Sequence, residues 1–204
     1  NRRIPLITSL QTPAYEPETI KGGGLSTIKV ESLRMIDSTL ARLTDPYFVA
    51  CSEFVARSSQ RALGIKPSRL RVIYNSVDPE TLATRTGEAD EVRQELGIRK
   101  DAFVFLGIGR LDEGKGFTYI LPAFQKVAEV VPNALLVIIG SGSQADRLRQ
   151  LSVSLNIENK VLLPGSRRDI GACLEMADAF VFPTLFEGLG IVLLEAMTKE
   201  LPCI

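Results

Sequence analysis

The feature that most constrains the fold is a regular alternation of short apolar runs with stretches of helical periodicity from residue 101 onward. The runs are unbroken by polar residues, which is typical of strands buried on both faces of a parallel sheet. Strands are predicted over Phe103–Leu106, Leu135–Ile139, Val161–Leu163 and Ala179–Phe182, with another beginning at Pro202–Ile204. Helices are predicted over Tyr119–Val131, Ala145–Leu155, Ile170–Ala177 and Ile191–Met197. Right-handed crossovers then give a doubly wound, Rossmann-like α/β layer.

The first 80 residues repeat this rhythm less regularly. The predicted features are strands over Ile4–Ile7, Phe48–Cys51 and Arg71–Tyr74, a helical stripe of Leu33, Ile36, Leu40 and Leu43, and loops at Gly22–Gly24 and Thr84–Asp90. Ser52 is a candidate N-cap for a helix over Glu53–Leu63, which Gly64 would end. We expect residues 1–82 to be the C-terminal part of a first domain and residues 101–204 to be a second domain. Residues 83–100 would be a linker with the helix that leads into that second domain.

Composition excludes several classes of protein. The 24 basic and 24 acidic residues balance to zero net charge, which argues against a protein whose main partner is nucleic acid. Because the chain has no histidine, it cannot supply a Ser-His-Asp or Cys-His mechanism or a His-ligated metal site. The widely spaced Cys51, Cys173 and Cys203 indicate free thiols in a reducing, cytoplasmic compartment.

Two features bear on membranes. No run approaches the ~20 apolar residues that a membrane span needs. The amphipathic stretch from Ile28 to Leu43 could lie near a membrane surface, but its charges are mixed, which favours a packed helix. We therefore expect a cytoplasmic protein, with peripheral membrane association left open.

Ligands of open parallel sheets bind beyond the carboxyl ends of the strands, so the residues that follow each strand are the candidates for a site. The loop after the first strand of the second domain is rich in glycine and carries Gly109, Arg110 and Lys115 ahead of a helix. Glycines let the backbone approach a ligand, and the two cations match the charge of a pyrophosphate. The alternative is that both cations are solvated beside Asp112 and Glu113.

Two carboxylates stand on either side of the start of the last predicted helix. Glu187 and Glu195 have seven residues between them, and Glu187 precedes a Gly-x-Gly turn. Because carboxylates accept hydrogen bonds from hydroxyl groups, the pair suits a polyhydroxylated ligand. The alternative is a helix-dipole glutamate at position 187 and a structural ion pair at position 195.

Two further loops follow strands. Gly140–Ala145 matches the G-x-G-x-x-[GA] dinucleotide fingerprint, but the acidic residue expected about 20 positions on is absent, which disfavours a nicotinamide or flavin site. The loop Leu163–Asp169 could read a nucleobase through its backbone, or it could be a turn with a solvated arginine pair. The sequence has no D-x-D pair, so a bound diphosphate would be neutralised by Arg110, Lys115 and helix amides rather than by a metal.

Taken in order, these motifs resemble those of the retaining GT-B glycosyltransferases of family 4. The resemblance rests on Phe48–Glu53, Val72–Pro79, Gly109-Arg110 with Lys115-Gly116, Gly140–Gly142, and Glu187–Met197, which carries the E-x7-E motif of the family. It implies an α/β fold of two Rossmann-like units. It also implies transfer of a sugar from a nucleotide-diphosphate donor, such as a UDP-, GDP- or ADP-sugar, to an acceptor with retention of anomeric configuration. No cofactor and no metal are implied.

The resemblance also implies roles for individual residues. Arg110 and Lys115 would hold the donor diphosphate and, with Glu187 at the donor sugar, would be the catalytic residues. Glu195 would bind the ribose hydroxyls, and the backbone near Ser166 and Arg167 would meet the base. The donor-binding set is completed by Gly109, Gly188, Leu189, Gly190 and Ile191.

Some features depart from the pattern of the family. Ser76 replaces a glycine of the usual Asn-Gly-Val-Asp motif, where we expect a conformation that glycine adopts more easily, and Glu200 replaces a common glycine after the last helix. The pattern also predicts a first unit incomplete at its N-terminus and a second truncated at its C-terminus, hence a fragment inactive alone. The acceptor, a sugar, lipid or small molecule, stays open. The alternatives are a non-catalytic nucleotide-sugar-binding module of the same fold and a GT-B epimerase.

Overall fold

The structure is a computed structural model and describes residues 5–13, 15–16 and 26–204. The chain folds into two compact units. The first unit comprises the described residues up to Ser76 together with Phe186–Gly190, and the second comprises Val77–Leu185 and Ile191–Ile204. Residues 77–82, which the sequence analysis grouped with the first domain, therefore pack with the second unit. The domain limits themselves stay a prediction.

In the first unit, the described residues form a parallel sheet with accompanying helices. The elements are β1 (Ile7–Leu10), α1 (Thr27–Thr44), β2 (Tyr47–Ala50), α2 (Glu53–Leu63), a 3-10 turn (Pro67–Arg69) and β3 (Leu70–Val72). The strand order is β1-β2-β3, with Phe48 of β2 between Thr8 and Leu70. Ala50 and Val55 are fully buried where β2 and α2 pack together.

Helix α2 begins and ends where the sequence predicts. Ser52 Oγ accepts a hydrogen bond from Val55 N at 3.2 Å, which satisfies one of the free amides of the first turn. Gly64 follows the last turn with a φ of 68°, the left-handed conformation that favours glycine.

Helix α1 forms, but its buried face is not the predicted one. The predicted apolar stripe is exposed at all four positions: Leu33, Ile36, Leu40 and Leu43. The more buried positions are instead Val30, Arg34, Ser38 and Ala41. The small side chains at positions 38 and 41 let α1 approach the end of α2 closely, and Ser38 Oγ donates a hydrogen bond to Leu63 O at 3.2 Å.

Two other predictions for this unit are wrong in detail. The first strand was expected over Ile4–Ile7, but β1 covers Ile7–Leu10, because Pro5 has no N–H to donate to a sheet ladder. Strain was expected at Ser76, yet among the described non-glycine residues a positive φ occurs at Asp45, Asn156 and Glu200. Ile4 and the predicted Gly22–Gly24 loop lie outside the described residues.

In the second unit, a parallel sheet carries helices on both faces. The strands are β4 (Phe103–Ile108), β5 (Ala134–Ile139), β6 (Val161–Gly165) and β7 (Ala179–Phe180), and their order is β6-β5-β4-β7. The helices are α3 (Glu88–Glu95), α4 (Phe117–Val130), α5 (Ala145–Ser154), α6 (Ile170–Glu175) and α7 (Ile191–Thr198). The 3-10 turns are Pro79–Leu82, Glu113–Lys115 and Glu158–Lys160.

Successive residues of the central strands enter two different cores. Along β5, Val137 and Ile139 pack into a cluster that includes buried residues of α6 and α7, whereas Leu136 and Ile138 pack into a cluster with α4 and α5. All four side chains are fully buried. Burial on both faces explains why these strands are unbroken apolar runs, and the predicted α/β fold class is confirmed.

The last strands are shorter than predicted. Only Ala179 and Phe180 of the expected Ala179–Phe182 strand form the ladder, opposite Phe105 and Leu106. The strand expected at Pro202–Ile204 is a single parallel bridge between Phe180 and Cys203.

The segment predicted as a linker is fixed to the second sheet. Its residues 88–90, expected as loop, begin helix α3. Arg93 of that helix donates hydrogen bonds to Met176 O at 2.8 Å and to Asp178 Oδ2 at 3.1 Å. Asp178 Oδ2 also accepts from Val104 N at 2.7 Å, so α3 is linked to strand β4 through the Asp178 carboxylate.

Candidate functional site

The carboxyl ends of β4, β5 and β6 surround a cavity of about 210 Å³ in the second unit. Its lining comes from the three loops that follow these strands and from the start of α6: Ile108, Gly109, Arg110, Ile139, Gly140, Ser141, Ser166, Arg167 and Ile170. Four of the predicted donor-binding residues, Gly109, Arg110, Ser166 and Arg167, are therefore brought together around one cavity. This is the edge at which open parallel sheets bind ligands.

The loops after β4 and β5 are joined by backbone hydrogen bonds. Leu111 N donates to Ser141 O and Gln144 N donates to Leu111 O, both at 2.8 Å. Gly140 has a φ of 148°, and a Cβ at this position would lie 1.8 Å from Gly109 O. Close packing of the two loops therefore explains why the fingerprint has glycine at position 140. This agrees with the sequence-based argument against a nicotinamide or flavin site.

The glycine-rich loop after β4 carries both predicted phosphate-binding cations. The Arg110 side chain is 81% exposed and pairs with Asp112 at 3.1 Å. Asp112 Oδ1 also accepts from Lys115 N at 3.2 Å, which shapes the 3-10 turn. A Cβ on Gly109 would lie 3.8 Å from Lys115 Cδ, so the lysine side chain runs alongside this glycine. One short loop therefore presents both cations beside the cavity.

The loop after β6 contributes a hydroxyl and a fixed arginine. Ser166 Oγ donates to Ser141 Oγ at 3.0 Å across the two loops. The Arg167 side chain is only 13% exposed and pairs with Glu95 at 2.8 Å and with Asp169 at 2.6 Å. The alternative of a solvated arginine pair is wrong for Arg167.

Residues 187–190 belong to the first unit. Ser52 Oγ donates to Gly188 O at 2.7 Å, and a Cβ on Gly188 would lie 2.0 Å from Gln11 O. Leu189 packs against the apolar cluster formed around β2 and α2. Burial raises the pKa of the Cys51 thiol, and the negative charge of Glu187 adds in the same direction. The turn that carries Glu187 is therefore firmly seated on its own unit.

Glu195 lies in the second unit, on the helix α7 that begins at Ile191. It is half-buried, and burial raises the pKa of its carboxyl group. No other described residue forms an ion pair with Glu195, so the described part of the chain does not provide the structural ion pair considered for it from the sequence. The end of this helix is held by Lys199, whose Nζ pairs with Glu175 at 3.3 Å.

Metal-binding clusters and membrane-spanning helices are both absent from the described part of the chain. Residues 5–13, 15–16 and 26–204 contain no group of three or more cysteine and acidic side chains placed to hold a metal ion. Within the same ranges, none of the helices combines the length and the apolar character that crossing a membrane requires.

Several residues at the cavity were not predicted from the sequence: Ser141 and the lining residues Ile108, Ile139, Gly140 and Ile170, and Glu95, which supports Arg167 from outside the lining. Ser141 lies in the fingerprint loop, so its position after a strand was an available signal. Glu95 is 72 residues from Arg167 in the chain, and nothing in the pattern of α3 indicates which of its acids faces that arginine.

Comparison with known proteins defines the class. The family model for glycosyl transferases group 1 matches residues 88–204. A galactosyltransferase of Escherichia coli, UDP-Gal:alpha-D-GlcNAc-diphosphoundecaprenol alpha-1,3-galactosyltransferase, is 34% identical over 147 residues, which are 71% of this chain and 38% of that protein. HepE of Anabaena, solved in complex with UDP, is 25% identical with a TM-score of 0.80, covering 98% of this chain and 52% of HepE.

The α/β fold with parallel sheets is that of GT-B-type proteins such as HepE. The chain belongs to the glycosyl transferases group 1 family. It spans 38% of the length of the Escherichia coli relative and about half of HepE.

Proposed function

We propose that this chain provides the donor-nucleotide-binding part of a glycosyltransferase. The donor is a nucleotide-diphosphate sugar, and its sugar is transferred to an acceptor. Family membership supports this proposal, as do the activity named for the Escherichia coli relative and the UDP bound to HepE. We also propose a reducing, cytoplasmic location for this chain, which its free cysteines Cys51, Cys173 and Cys203 suit.

The observation that carries the proposal is the cavity at the carboxyl edge of the second sheet with Arg110 in its lining and Lys115 on the same loop. A departing nucleoside diphosphate gains negative charge on its phosphate oxygens as the bond to the sugar breaks. Fixed cations at that point stabilise the transition state more than the ground state, typically by several kcal/mol. Arg110 and Lys115 would provide this stabilisation without a metal.

The remaining residues are proposed to bind the rest of the donor. The backbone at Ser166 and Arg167 would meet the nucleobase, because the Arg167 side chain is already engaged by two carboxylates. Glu195 would accept hydrogen bonds from the ribose hydroxyls. Glu187 would contact the sugar, and the segment Gly188–Ile191 would complete the donor site through its backbone.

We propose further that transfer retains the anomeric configuration, as in family 4. In such a reaction the acceptor attacks on the face from which the diphosphate departs. A leaving group held by Arg110 and Lys115 beside the sugar suits that geometry. The acceptor is a sugar, a lipid or a small molecule.

Calorimetric titration of UDP, GDP and ADP into this chain tests the donor site. We expect one of the three to bind with a stoichiometry of one. If none binds at millimolar concentration, the proposal is contradicted. Because residues 1–204 are expected to be inactive alone, the matching nucleotide sugar and an acceptor are then given to a full-length protein that contains this sequence. Release of free nucleoside diphosphate there identifies an enzyme, and its absence identifies a non-catalytic binding module.

A further inference from the structure

Arg167 is held by two carboxylates from different elements. Its Nη1 and Nη2 donate to the two oxygens of Glu95 at 2.9 and 2.8 Å, and Glu95 is the last residue of α3. Its Nε and Nη2 donate to Asp169 at 2.9 and 2.6 Å. Bidentate arginine–carboxylate pairs fix the orientation of the guanidinium group as well as adding energy. Arg167 is therefore anchored on both sides.

The electrostatics of this cluster agree with the geometry. Hydrogen bonds from Arg167 hold the pKa of Glu95 and of Asp169 below their ordinary values. The two carboxylates raise the pKa of Arg167 in return. A guanidinium group has five N–H donors, and four hydrogen bonds to carboxylates leave it little capacity to bind a phosphate.

The cluster formed by Arg167, Glu95 and Asp169 lies at one side of the cavity, because Arg167 is part of the lining. Arg167 and Ser166 line the cavity at the end of β6, whereas Arg110 lines it at the end of β4. Since β5 lies between these strands, the two sides of the cavity are about 10 Å apart across the sheet edge. The cationic loop and the Ser166–Arg167 loop therefore face different parts of one ligand.

We infer that Glu95 is a positioning residue for the nucleoside end of the site: by holding the guanidinium of Arg167 it fixes the Ser166–Arg167 backbone against the cavity. This inference rests on the proposed function and deepens it. Arg167 lines the cavity and Glu95 does not, so Glu95 acts through Arg167 rather than by touching the donor.

The chain offers a matched control on the same helix. Glu91 of α3 makes a similar bidentate pair with Arg85, and both side chains are exposed. Neither residue lines the cavity. Glu91→Ala therefore removes an equivalent ion pair from α3 without releasing Arg167.

The test compares UDP, or GDP or ADP if the wild-type chain binds that nucleotide instead, with inorganic pyrophosphate as ligands, measured by calorimetry or by NMR titration. We expect Glu95→Ala to weaken UDP binding about fivefold and to leave pyrophosphate binding unchanged, because Arg110 and Lys115 are untouched. Glu91→Ala should change neither affinity. In an Arg167→Ala background, Glu95→Ala should cause no further loss.

Two results overturn the inference. One is a UDP affinity for Glu95→Ala equal to that of the wild-type chain. The other is a parallel loss of UDP and pyrophosphate affinity, which would mean that the substitution disturbs the whole sheet edge. If the wild-type chain binds no nucleoside diphosphate at all, the proposed function itself fails, and that result is distinct from wild-type binding that Glu95→Ala leaves unchanged.

Discussion

The hydroxyl of Ser52 donates a hydrogen bond to the carbonyl oxygen of Gly188 at 2.7 Å, across 136 residues of chain. The same hydroxyl accepts from Val55 N and so caps helix α2. A single buried serine therefore starts a helix and fastens the turn that follows Glu187 to the first unit. Ser52, which the sequence predicts as a helix cap, is therefore bonded to the residue that follows Glu187, the proposed contact of the donor sugar.

Ser52→Ala is expected to lower the free energy of unfolding by about 1–2 kcal/mol, because it removes the cap and leaves the Gly188 carbonyl without its donor. Urea denaturation measures this change. Ser26→Ala is the matched control, since Ser26 caps α1 from an exposed position and should cost only about 0.5 kcal/mol. Equal losses in the two variants would contradict a structural role for the bond to Gly188.

Gly140→Ala should destabilise the chain by about 2 kcal/mol more than Gly165→Ala. Both glycines have a positive φ, but a Cβ on Gly140 would collide with Gly109 O, whereas a Cβ on Gly165 meets no atom within 4 Å. Thermal or urea unfolding of the two variants measures the difference. Similar stabilities would show that the fingerprint glycine does not serve loop packing.

Glu200→Gly is expected to stabilise the chain by about 1 kcal/mol. Glu200 follows α7 with a φ of 57°, a left-handed conformation that glycine adopts without strain. The family commonly has glycine at this position, which is consistent with a left-handed conformation there. Glu200→Ala removes the charge without relieving the backbone, so a gain of equal size in that variant would rule out backbone strain as the cause.

Glu195→Gln should raise the stability of the ligand-free chain at pH 7. Burial raises the pKa of Glu195, so its charged form opposes folding above that pKa. As the pH falls through the raised pKa and then through the ordinary value of 4.5, both states become protonated and the advantage of glutamine disappears. Urea denaturation at pH 7 and pH 4 measures this.

Glu129→Gln, at an exposed position of α4, is the control for that comparison and should differ little from the wild-type chain at either pH. An advantage of Glu195→Gln that grows as the pH is lowered would have the wrong sign for a carboxyl group with a raised pKa.

The second unit could be predicted closely because its strands are buried on both faces and so leave unbroken apolar runs. Ala134–Ile139 was predicted with an error of one residue at its start. The exposed edge strand β1 leaves no such signal, since Thr8 and Ser9 are polar. Helix α1 was predicted with the wrong buried face, because its contacts use small residues such as Ser38 and Ala41 rather than its large apolar ones.

The candidate site could likewise be predicted only in part. Motifs within one loop, such as Arg110 and Lys115, could be found because their spacing alone places them together. The partnership of Arg167 with Glu95 joins elements far apart in the chain, and only the fold brings them into contact. Long-range ion pairs of this kind leave no local pattern.

The central claim is that the cationic loop after β4 binds a diphosphate, and UDP titration of Arg110→Ala and Lys115→Ala tests it most directly. The control is Arg99→Ala, since Arg99 forms an equivalent exposed pair with an aspartate two residues on but precedes β4 instead of following it. We expect each of the two loop variants to bind UDP about tenfold more weakly, and Arg99→Ala to bind it like the wild-type chain. UDP affinities that are the same in all four proteins would contradict the account.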